Sequence, residues 1–205
     1  ILKINDYKLP GHNYLLKIAP PSKIKHLKTN LIPENSKTAS VLMLFYPDIN
    51  NETRLVLMLR NKYKGVHSNQ ISLPGGKVDR LDKSLKDTAL RETHEEIGLH
   101  KDDIDIVGDL SSVYIPPSNF LVSPFMGISH QELQFIPDLD EVKRVLEFPL
   151  SEFIDERTIT KVKMTTSYAT DIEVPAFMVE KYVVWGATAM MMSELKEAIV
   201  NAIHS

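Results

Sequence analysis

Three glutamates lie within five residues near the middle of the chain, at Glu92, Glu95 and Glu96. On an α-helix, which turns by about 100° per residue, their side chains share one narrow face. Like charges at this spacing destabilise a helix by roughly 0.2–0.5 kcal/mol per pair, and a bound divalent cation reverses the sign of that effect. The spacing therefore favours a cation site, while an ordinary solvated acidic face would place the same residues in the same way.

Two neighbouring features can position these carboxylates. Arg91 stands four residues before Glu95, so the two side chains can form an ion pair along the helix. Gly75 and Gly76 come before the helix, and the missing Cβ lets backbone groups approach a metal or a phosphate closely. A glycine pair alone is also common in ordinary turns.

The elements that carry these residues follow from hydrophobic patterning. The continuous apolar run 39–46 predicts a strand buried on both faces, and the run 55–59 predicts its hairpin partner. A helix is predicted from Asp82 or Ser84 to Ile97, because Gly98 stands where a terminating glycine is expected. Further strands are predicted at 71–73, 104–113, 120–128, 142–148, 172–179 and 182–185, and further helices around 15–18 and at 186–203. This order predicts a single mixed α/β domain.

Composition limits the classes of function. The chain has 205 residues, a net charge of −3 and no cysteine, which argues against a basic nucleic-acid or membrane surface. Without cysteine, any metal must be held by oxygen or imidazole, and carboxylates favour Mg²⁺, Mn²⁺ or Ca²⁺. The uncharged stretch 182–193 is shorter than the ~20 residues that span a membrane. We also find no signal-peptide pattern, so we expect a cytoplasmic location.

At this point the residues resemble a known family. The pattern Gly75-Gly76 followed by Arg91-Glu92-x-x-Glu95-Glu96-x-Gly98 is similar to the Nudix box of hydrolases that cleave nucleoside diphosphate derivatives. The interval between Gly76 and Arg91 is one residue longer than usual, and the usual early Glu is absent, with Asp82 nearby. This longer form resembles the coenzyme A pyrophosphatase branch of the family.

Other segments extend the resemblance to that branch. They are Pro74-Gly75-Gly76, Asp79, Asp82, Thr88-Ala89-Leu90-Arg91-Glu92, Leu57-Met58-Leu59-Arg60, His67 to Gly76, and Val184-Trp185-Gly186-Ala187-Thr188. The chain departs from the branch at three positions. Asn61 stands where the branch prefers Ser or Ala, Gly65 where it has a second Arg, and Asn69 where it often has Gly.

The resemblance implies a fold and a reaction. The fold would be a Nudix-type α/β/α sandwich with a mixed central sheet, in which residues 38–205 form the Nudix domain and residues 1–37 an extension packed on it. The reaction would be metal-dependent hydrolysis of the pyrophosphate of coenzyme A or acyl-CoA to 3′,5′-ADP and 4′-phosphopantetheine or its acyl form. Mg²⁺ or Mn²⁺ would be the cofactor, with Glu92, Glu95 and Glu96 as the metal ligands.

The resemblance also implies roles for other residues. The general base would be Glu141, in an acidic loop beyond the box, with Glu95 as the second candidate; a solvated loop acid is the alternative for Glu141. Arg91 would orient Glu95. Substrate contacts would come from Arg60, Lys64, His67, Gly75 and Gly76. The alternative for Arg60 is an ion pair with an acid on the helix.

Two other functions remain open at this stage. One is a different Nudix pyrophosphatase, acting on ADP-ribose, NADH or another nucleoside diphosphate derivative. The other is a non-catalytic Nudix module that binds a nucleotide. In each case we expect a small-molecule nucleotide as the partner, no nucleic acid and no membrane, and either a monomer or a homodimer.

Overall fold

The structure is a computed structural model, and it describes residues 10–19, 24, 31–62, 69–164 and 171–204. In chain order its elements are α1 (His12–Lys17), β1 (Lys37–Pro47), β2 (Thr53–Arg60), β3 (Ile71–Ser72), β4 (Gly75–Lys77), α2 (Leu85–Ile97), β5 (Asp105–Asp109), β6 (Val113–Ile115), β7 (Phe120–Ile128), β8 (Val142–Pro149), α3 (Leu150–Phe153), β9 (Ile159–Met164), β10 (Ile172–Val179), β11 (Tyr182–Val184) and α4 (Gly186–His204). Short 3₁₀ turns lie at Lys101–Asp103, Pro116–Ser118 and Glu156–Thr158.

The main sheet is mixed. β1 and β7 run parallel from the pair Lys37–Phe120 to the pair Phe45–Ile128. The other neighbours are antiparallel: β2 pairs with β1 and β8, while β5 and β6 both pair with β7. This sheet has eight strands among the described residues, and β9, β10 and β11 form a second, three-stranded sheet.

Helices cover both faces of the main sheet. Leu42 and Leu44 of β1 join a buried cluster that includes α2, whereas Met43 and Phe45 join the cluster that includes α1 and α4. Each fully buried side chain of this size contributes about 1.5–3 kcal/mol relative to exposure. Because successive residues of a strand point to opposite faces, a strand that is apolar throughout must be covered on both. The α/β/α sandwich with a mixed central sheet is therefore confirmed.

The first two strands separate along their length, and this separation creates the site. β1 and β2 pair with each other only near their connecting turn, from Phe45–Leu55 to Pro47–Thr53. Farther along, β3 pairs with β2 and β4 pairs with β1, so the short segment 71–77 fills the gap between them. Gly75 and Gly76 thereby lie inside the sheet beneath α2.

The predicted strand 104–113 is wrong as a single element, because the chain leaves the sheet between β5 and β6. There the N–H and hydroxyl of Ser111 donate to the carboxylate of Glu194 on α4, at 3.0 and 2.7 Å. β9 was not predicted. The side chains of residues 159–163 are largely exposed, so they lack the buried apolar run that marks the core strands.

The helix α1 packs against α4. Leu15 and Ile18, in and just after α1, are buried in the cluster that contains α4, and Lys17 pairs with Glu197 at 3.8 Å. The division into an extension at 1–37 and a domain at 38–205 stays a prediction. Within the part of the chain that the structure describes, no helix has both the length and the apolar character needed to cross a membrane.

Candidate active site

The helix that carries the three glutamates begins and ends at local signals. Ser84 caps its start, where the side chain accepts the N–H of Asp87 at 3.2 Å. Gly98 ends it in the left-handed conformation, with φ of 76°, and donates its N–H to the carbonyl of His94. A Cβ at Gly98 would collide with Ile136. The predicted helix and its terminating glycine are therefore confirmed.

Glu96 is the most buried of the three glutamates, with 2% of its surface exposed. Its Oε2 accepts the N–H of Gly75 at 2.7 Å, and its Oε1 accepts from a guanidinium nitrogen of Arg60 at 3.2 Å. The pKa of Glu96 is raised to about 8, chiefly by burial and also by the charges of Glu92 and Glu141, against the opposing effect of Gly75 and Arg60. Arg60 and the Gly75 N–H therefore do not offset the cost of ionising Glu96 in this site.

The two glycines let β4 lie directly against these carboxylates. A Cβ at Gly76 would overlap the carboxylate of Glu92, and a Cβ at Gly75 would overlap the carbonyl oxygen of Ser40 on β1. Gly75 also has φ of 140°, a conformation that other residues rarely adopt. Burial raises the pKa of Glu92, although less decisively than that of Glu96 because Arg91 opposes it. Both glycines are thus required by close packing at this point.

Arg91 uses all five of its N–H donors inside the protein. Its Nε and one terminal nitrogen donate to Asp82 at 2.8 and 3.0 Å, and that terminal nitrogen also reaches the carbonyl of Lys77 at 3.1 Å. The other terminal nitrogen donates to Glu92 and Glu95, each at 2.8 Å. A guanidinium has five donors and no acceptor. Arg91 therefore orients the carboxylates rather than facing a ligand.

The contact between Asp82 and Arg91 was not predicted from the sequence. The carboxylate of Asp82 accepts from Arg91, from the hydroxyl of Thr88 at 2.8 Å and from the N–H of Asp79 at 2.9 Å. The Arg91 guanidinium holds the pKa of Asp82 well below its usual range. Asp82 precedes the helix by three residues, so helical spacing could not reveal this contact, and only the family-like position of the aspartate hinted at it.

Glu141 approaches the same group from the segment just before β8. Its carboxylate lies 4.0 Å from a guanidinium nitrogen of Arg60 and is about half exposed. It raises the pKa of both Glu92 and Glu96, which shows that the three carboxylates are close enough to interact. The structure thus brings Glu141 to the site, and its role as general base stays a prediction.

The remaining predicted residues are placed less centrally. Glu95 is about half exposed and is held by Arg91 along the helix surface. Arg60 forms the ion pair with Glu96 that was its alternative interpretation, so its contact with substrate stays a prediction. Lys64 and His67 lie outside the described residues.

The carboxylates fit a hard cation in their chemistry. Among the described residues, no three His, Asp or Glu side chains converge as a ready-made metal site. Arg91 donates to Glu92 and Glu95, and Arg60 donates to Glu96. The donors nevertheless are all oxygens, which Mg²⁺ and Mn²⁺ prefer. The raised pKa of the buried Glu96 shows that its ionised form lacks sufficient counter-charge. Glu92 and Glu96 therefore fit a divalent cation as ligands.

Comparison with known proteins agrees with this geometry. The NUDIX domain family matches residues 38–166. The chain is 32% identical over 169 residues to the "Uncharacterized Nudix hydrolase NudL" of Enterobacter sp. (strain 638), covering 78% of this chain and 82% of that protein. It is also 32% identical over 158 residues to "Nudix hydrolase 15, mitochondrial" of Arabidopsis thaliana, covering 75% of this chain and 55% of that protein.

A solved structure shares the fold. The crystal structure of a Nudix hydrolase from M. smegmatis, RenU, matches with a TM-score of 0.54 at 14% identity, covering 81% of this chain and 87% of that chain. At this identity the likeness concerns the fold alone. The family match and the sequence relatives carry the assignment: this chain belongs to the Nudix hydrolase family.

Proposed function

We propose that this Nudix hydrolase cleaves the pyrophosphate of coenzyme A or an acyl-CoA, with Mg²⁺ or Mn²⁺, to 3′,5′-ADP and 4′-phosphopantetheine or its acyl form. The observation that carries hydrolysis is the buried carboxyl of Glu96 and the partly buried carboxylate of Glu92, packed against the backbone of Gly75 and Gly76. A pyrophosphate is itself anionic, so a site of this charge would need a divalent cation to bind it. The group of carboxylates therefore favours the binding of metal and substrate together.

The preference for coenzyme A rests on the resemblance to one branch of the family. Two segments that resemble this branch lie 117 residues apart in sequence but meet in the fold: the hydroxyl of Thr188, at the start of α4, donates to the carbonyl of Ile71 in β3 at 3.3 Å. Their contact supports the view that both belong to one functional unit beside the glycines.

The residues of the candidate active site have different roles in hydrolysis. Glu92 and Glu96 would hold the divalent cation, which would supply positive charge to the diphosphate and make a water molecule more acidic. Glu141 removes a proton from that water as its oxygen bonds to one phosphorus. The bridging P–O bond then breaks, and the other phosphate leaves with its oxygen. Arg91 keeps Glu92 and Glu95 oriented during these events.

Cations near the end of β2 are proposed to bind the phosphates of the substrate. Arg60 already pairs with Glu96 and Glu141. Its guanidinium can therefore contact a substrate phosphate while it remains close to both carboxylates. Lys64 and His67 follow within the next seven residues of the chain. Coenzyme A carries a 3′-phosphate besides its pyrophosphate, and that additional charge requires cations outside the metal site.

A second candidate substrate is ADP-ribose, NADH or another nucleoside diphosphate derivative. It is favoured by Gly65 and Asn69, which depart from the pattern of the coenzyme A branch. A non-catalytic nucleotide-binding module is the third candidate. It leaves unexplained why Arg91, Glu92 and Glu96 are all kept in an ordered network.

Location and assembly remain predictions. We place the enzyme in the cytoplasm, as a monomer or a homodimer that acts on a small nucleotide. The Arabidopsis relative is named as a mitochondrial protein. Fractionation of source cells followed by size measurement of the native protein tests both points.

A substrate panel tests the proposal. The protein is incubated with coenzyme A, an acyl-CoA, dephospho-coenzyme A, ADP-ribose or NADH, with Mg²⁺ or Mn²⁺ and with chelator, and the products are identified by mass spectrometry. We expect 3′,5′-ADP from coenzyme A, metal dependence, and slower cleavage without the 3′-phosphate. Faster cleavage of dephospho-coenzyme A, ADP-ribose or NADH would overturn the assignment to coenzyme A. A matched preparation of Glu96→Gln controls for contaminating hydrolases.

A further inference from the structure

Asn61 connects the end of β2 to the loop that carries Glu141. Its Nδ2 donates to the carbonyl of Leu139 at 2.7 Å, and its backbone N–H donates to the carbonyl of Glu141 at 2.7 Å. Its Oδ1 accepts the N–H of Lys62 at 2.7 Å, so both ends of the side-chain amide are used. Asn61 therefore holds the loop on either side of Asp140.

The same loop is tied to α2 at its other end. The N–H of Asp138 donates to the carbonyl of Glu96 at 2.9 Å. Within the loop, the N–H groups of Glu141 and Val142 donate to the carbonyl of Asp138 at 3.1 and 2.7 Å. The helix thus fixes the loop at Asp138, while Asn61 fixes it where Glu141 approaches the site.

The strands change register at this place. The pairing of β2 with β8 shifts between Leu59 and Arg60. Such an irregularity bends a strand and changes the direction of the side chains beyond it. The backbone bond from Asn61 to Glu141 lies just past the shift. Because regular pairing no longer determines the path of the chain here, side-chain contacts have more influence on it.

We propose that Asn61 is a positioning residue for Glu141. Its bond to Leu139 holds the loop so that the Glu141 carboxylate stays beside Glu92 and Glu96. The inference rests on the proposed function, in which Glu141 removes the proton from water. Alanine at this position would lack any side-chain donor, and serine has a shorter side chain with one hydroxyl in place of an amide. Asn61, which departs from the branch pattern, therefore holds the loop that carries Glu141.

Variants at this position provide the test. Asn61→Ala removes the bond to Leu139, and Asn61→Asp keeps the shape but cannot donate to that carbonyl. We expect kcat to fall by about tenfold in both variants, with KM changed by less than about twofold, since a misplaced base slows the chemical step more than it weakens binding. The matched control is Asn50→Ala, in the turn at the opposite end of β2, which should retain the wild-type kcat. Wild-type kcat in Asn61→Ala would overturn the inference.

A double-mutant cycle separates positioning from general damage. In the background Glu141→Gln, we expect Asn61→Ala to reduce kcat by less than about twofold, because the group that it positions has been removed. If the two losses multiply as independent effects, Asn61 does not act through Glu141 and the inference is wrong.

A measurement without substrate gives an independent answer. Amide hydrogen exchange in residues 138–142 should accelerate in Asn61→Ala and remain unchanged in Asn50→Ala. Unchanged exchange in Asn61→Ala contradicts the inference. The rates above are measured with whichever substrate of the panel is cleaved fastest, so a substrate other than coenzyme A would overturn the proposed function and leave the test of Asn61 intact.

Discussion

Two buried glutamates on two helices show what distinguishes a site from a structural contact. Glu194 on α4 is 0% exposed, and its carboxylate accepts both the hydroxyl and the N–H of Ser111. Glu96 on α2 is 2% exposed and likewise accepts two bonds, from Gly75 and Arg60. The difference is that Glu96 also lies beside the carboxylates of Glu92 and Glu141. Burial is common to both, and clustered like charge marks the site.

The two helices also differ in what their polar contacts achieve. Glu194 joins α4 to the segment between β5 and β6, so its bonds fix the packing of one face of the sheet. Glu96 also joins α2 to β2 and β4, but there it lies close to other carboxyl groups. Groups with strongly shifted pKa values concentrate at functional sites, where stability is given up for chemistry. We therefore expect changes on α2 to alter activity and changes around α4 to alter stability.

The largest effect that separates the two glutamates is on turnover. Glu96→Gln should lower kcat by on the order of 10³-fold, because a neutral amide cannot hold the cation that stabilises the transferring phosphate. Steady-state kinetics with Mg²⁺ measure this, and circular dichroism should show an unchanged fold. The matched variant Glu194→Gln should retain kcat within about twofold. Full activity of Glu96→Gln would contradict the assignment of Glu96 as a metal ligand.

The network around Arg91 should come next in size. Arg91→Lys should reduce kcat/KM by about 10²-fold, since an ammonium cannot bond Asp82, Glu92 and Glu95 together. Arg144→Lys is the control, because Arg144 forms a half-exposed surface pair with Glu180 at 3.0 Å and should tolerate the change. Equal activity of both variants would show that the orientation of the carboxylates does not limit catalysis.

The pH dependence of stability should report the buried carboxyl group of Glu96. The pKa of Glu96 rises from 4.5 to about 8 on folding, so between these values the folded protein holds a proton that the unfolded chain has released. The free energy of unfolding should therefore fall as pH rises from 5 to 8, by on the order of 4 kcal/mol, measured by urea denaturation with chelator present. Glu96→Gln should abolish this part of the slope, and Asn50→Ala, which removes no titratable group, should retain it. A slope unchanged in Glu96→Gln would assign it to other groups.

The smallest effect is expected around α4. Ser111→Ala removes the hydroxyl bond to Glu194 and should lower the free energy of unfolding by about 1 kcal/mol, with kcat unchanged. Thermal denaturation and steady-state kinetics measure the two quantities. Ser151→Ala, at an exposed position in α3, is the control and should have little effect on either. A loss of kcat in Ser111→Ala would show that the α4 face is coupled to the active site.

Local signals explain which elements could be predicted from the sequence. The helix α2 was predicted to within a few residues because its cap at Ser84, its apolar face and Gly98 all lie within the segment itself. The strand β1 was predicted because both faces are apolar. The break between β5 and β6 could not be predicted, since it depends on Glu194, which lies 83 residues after Ser111. The strand β9 was missed because an exposed strand gives no burial pattern.

The sequence by itself determined the family of the protein, the helix that presents Glu92, Glu95 and Glu96, and the glycines that let a backbone lie against them. Regular helical spacing and the absence of a Cβ act at short range, so they can be recognised from the order of residues. The tertiary structure decided which charged groups meet. Arg60 donates to Glu96, which lies 36 residues later in the chain, and Arg91 donates to Asp82. The first of these contacts joins β2 to α2, so it exists only once the two elements pack together. Electrostatic interactions are set by distance and burial in space.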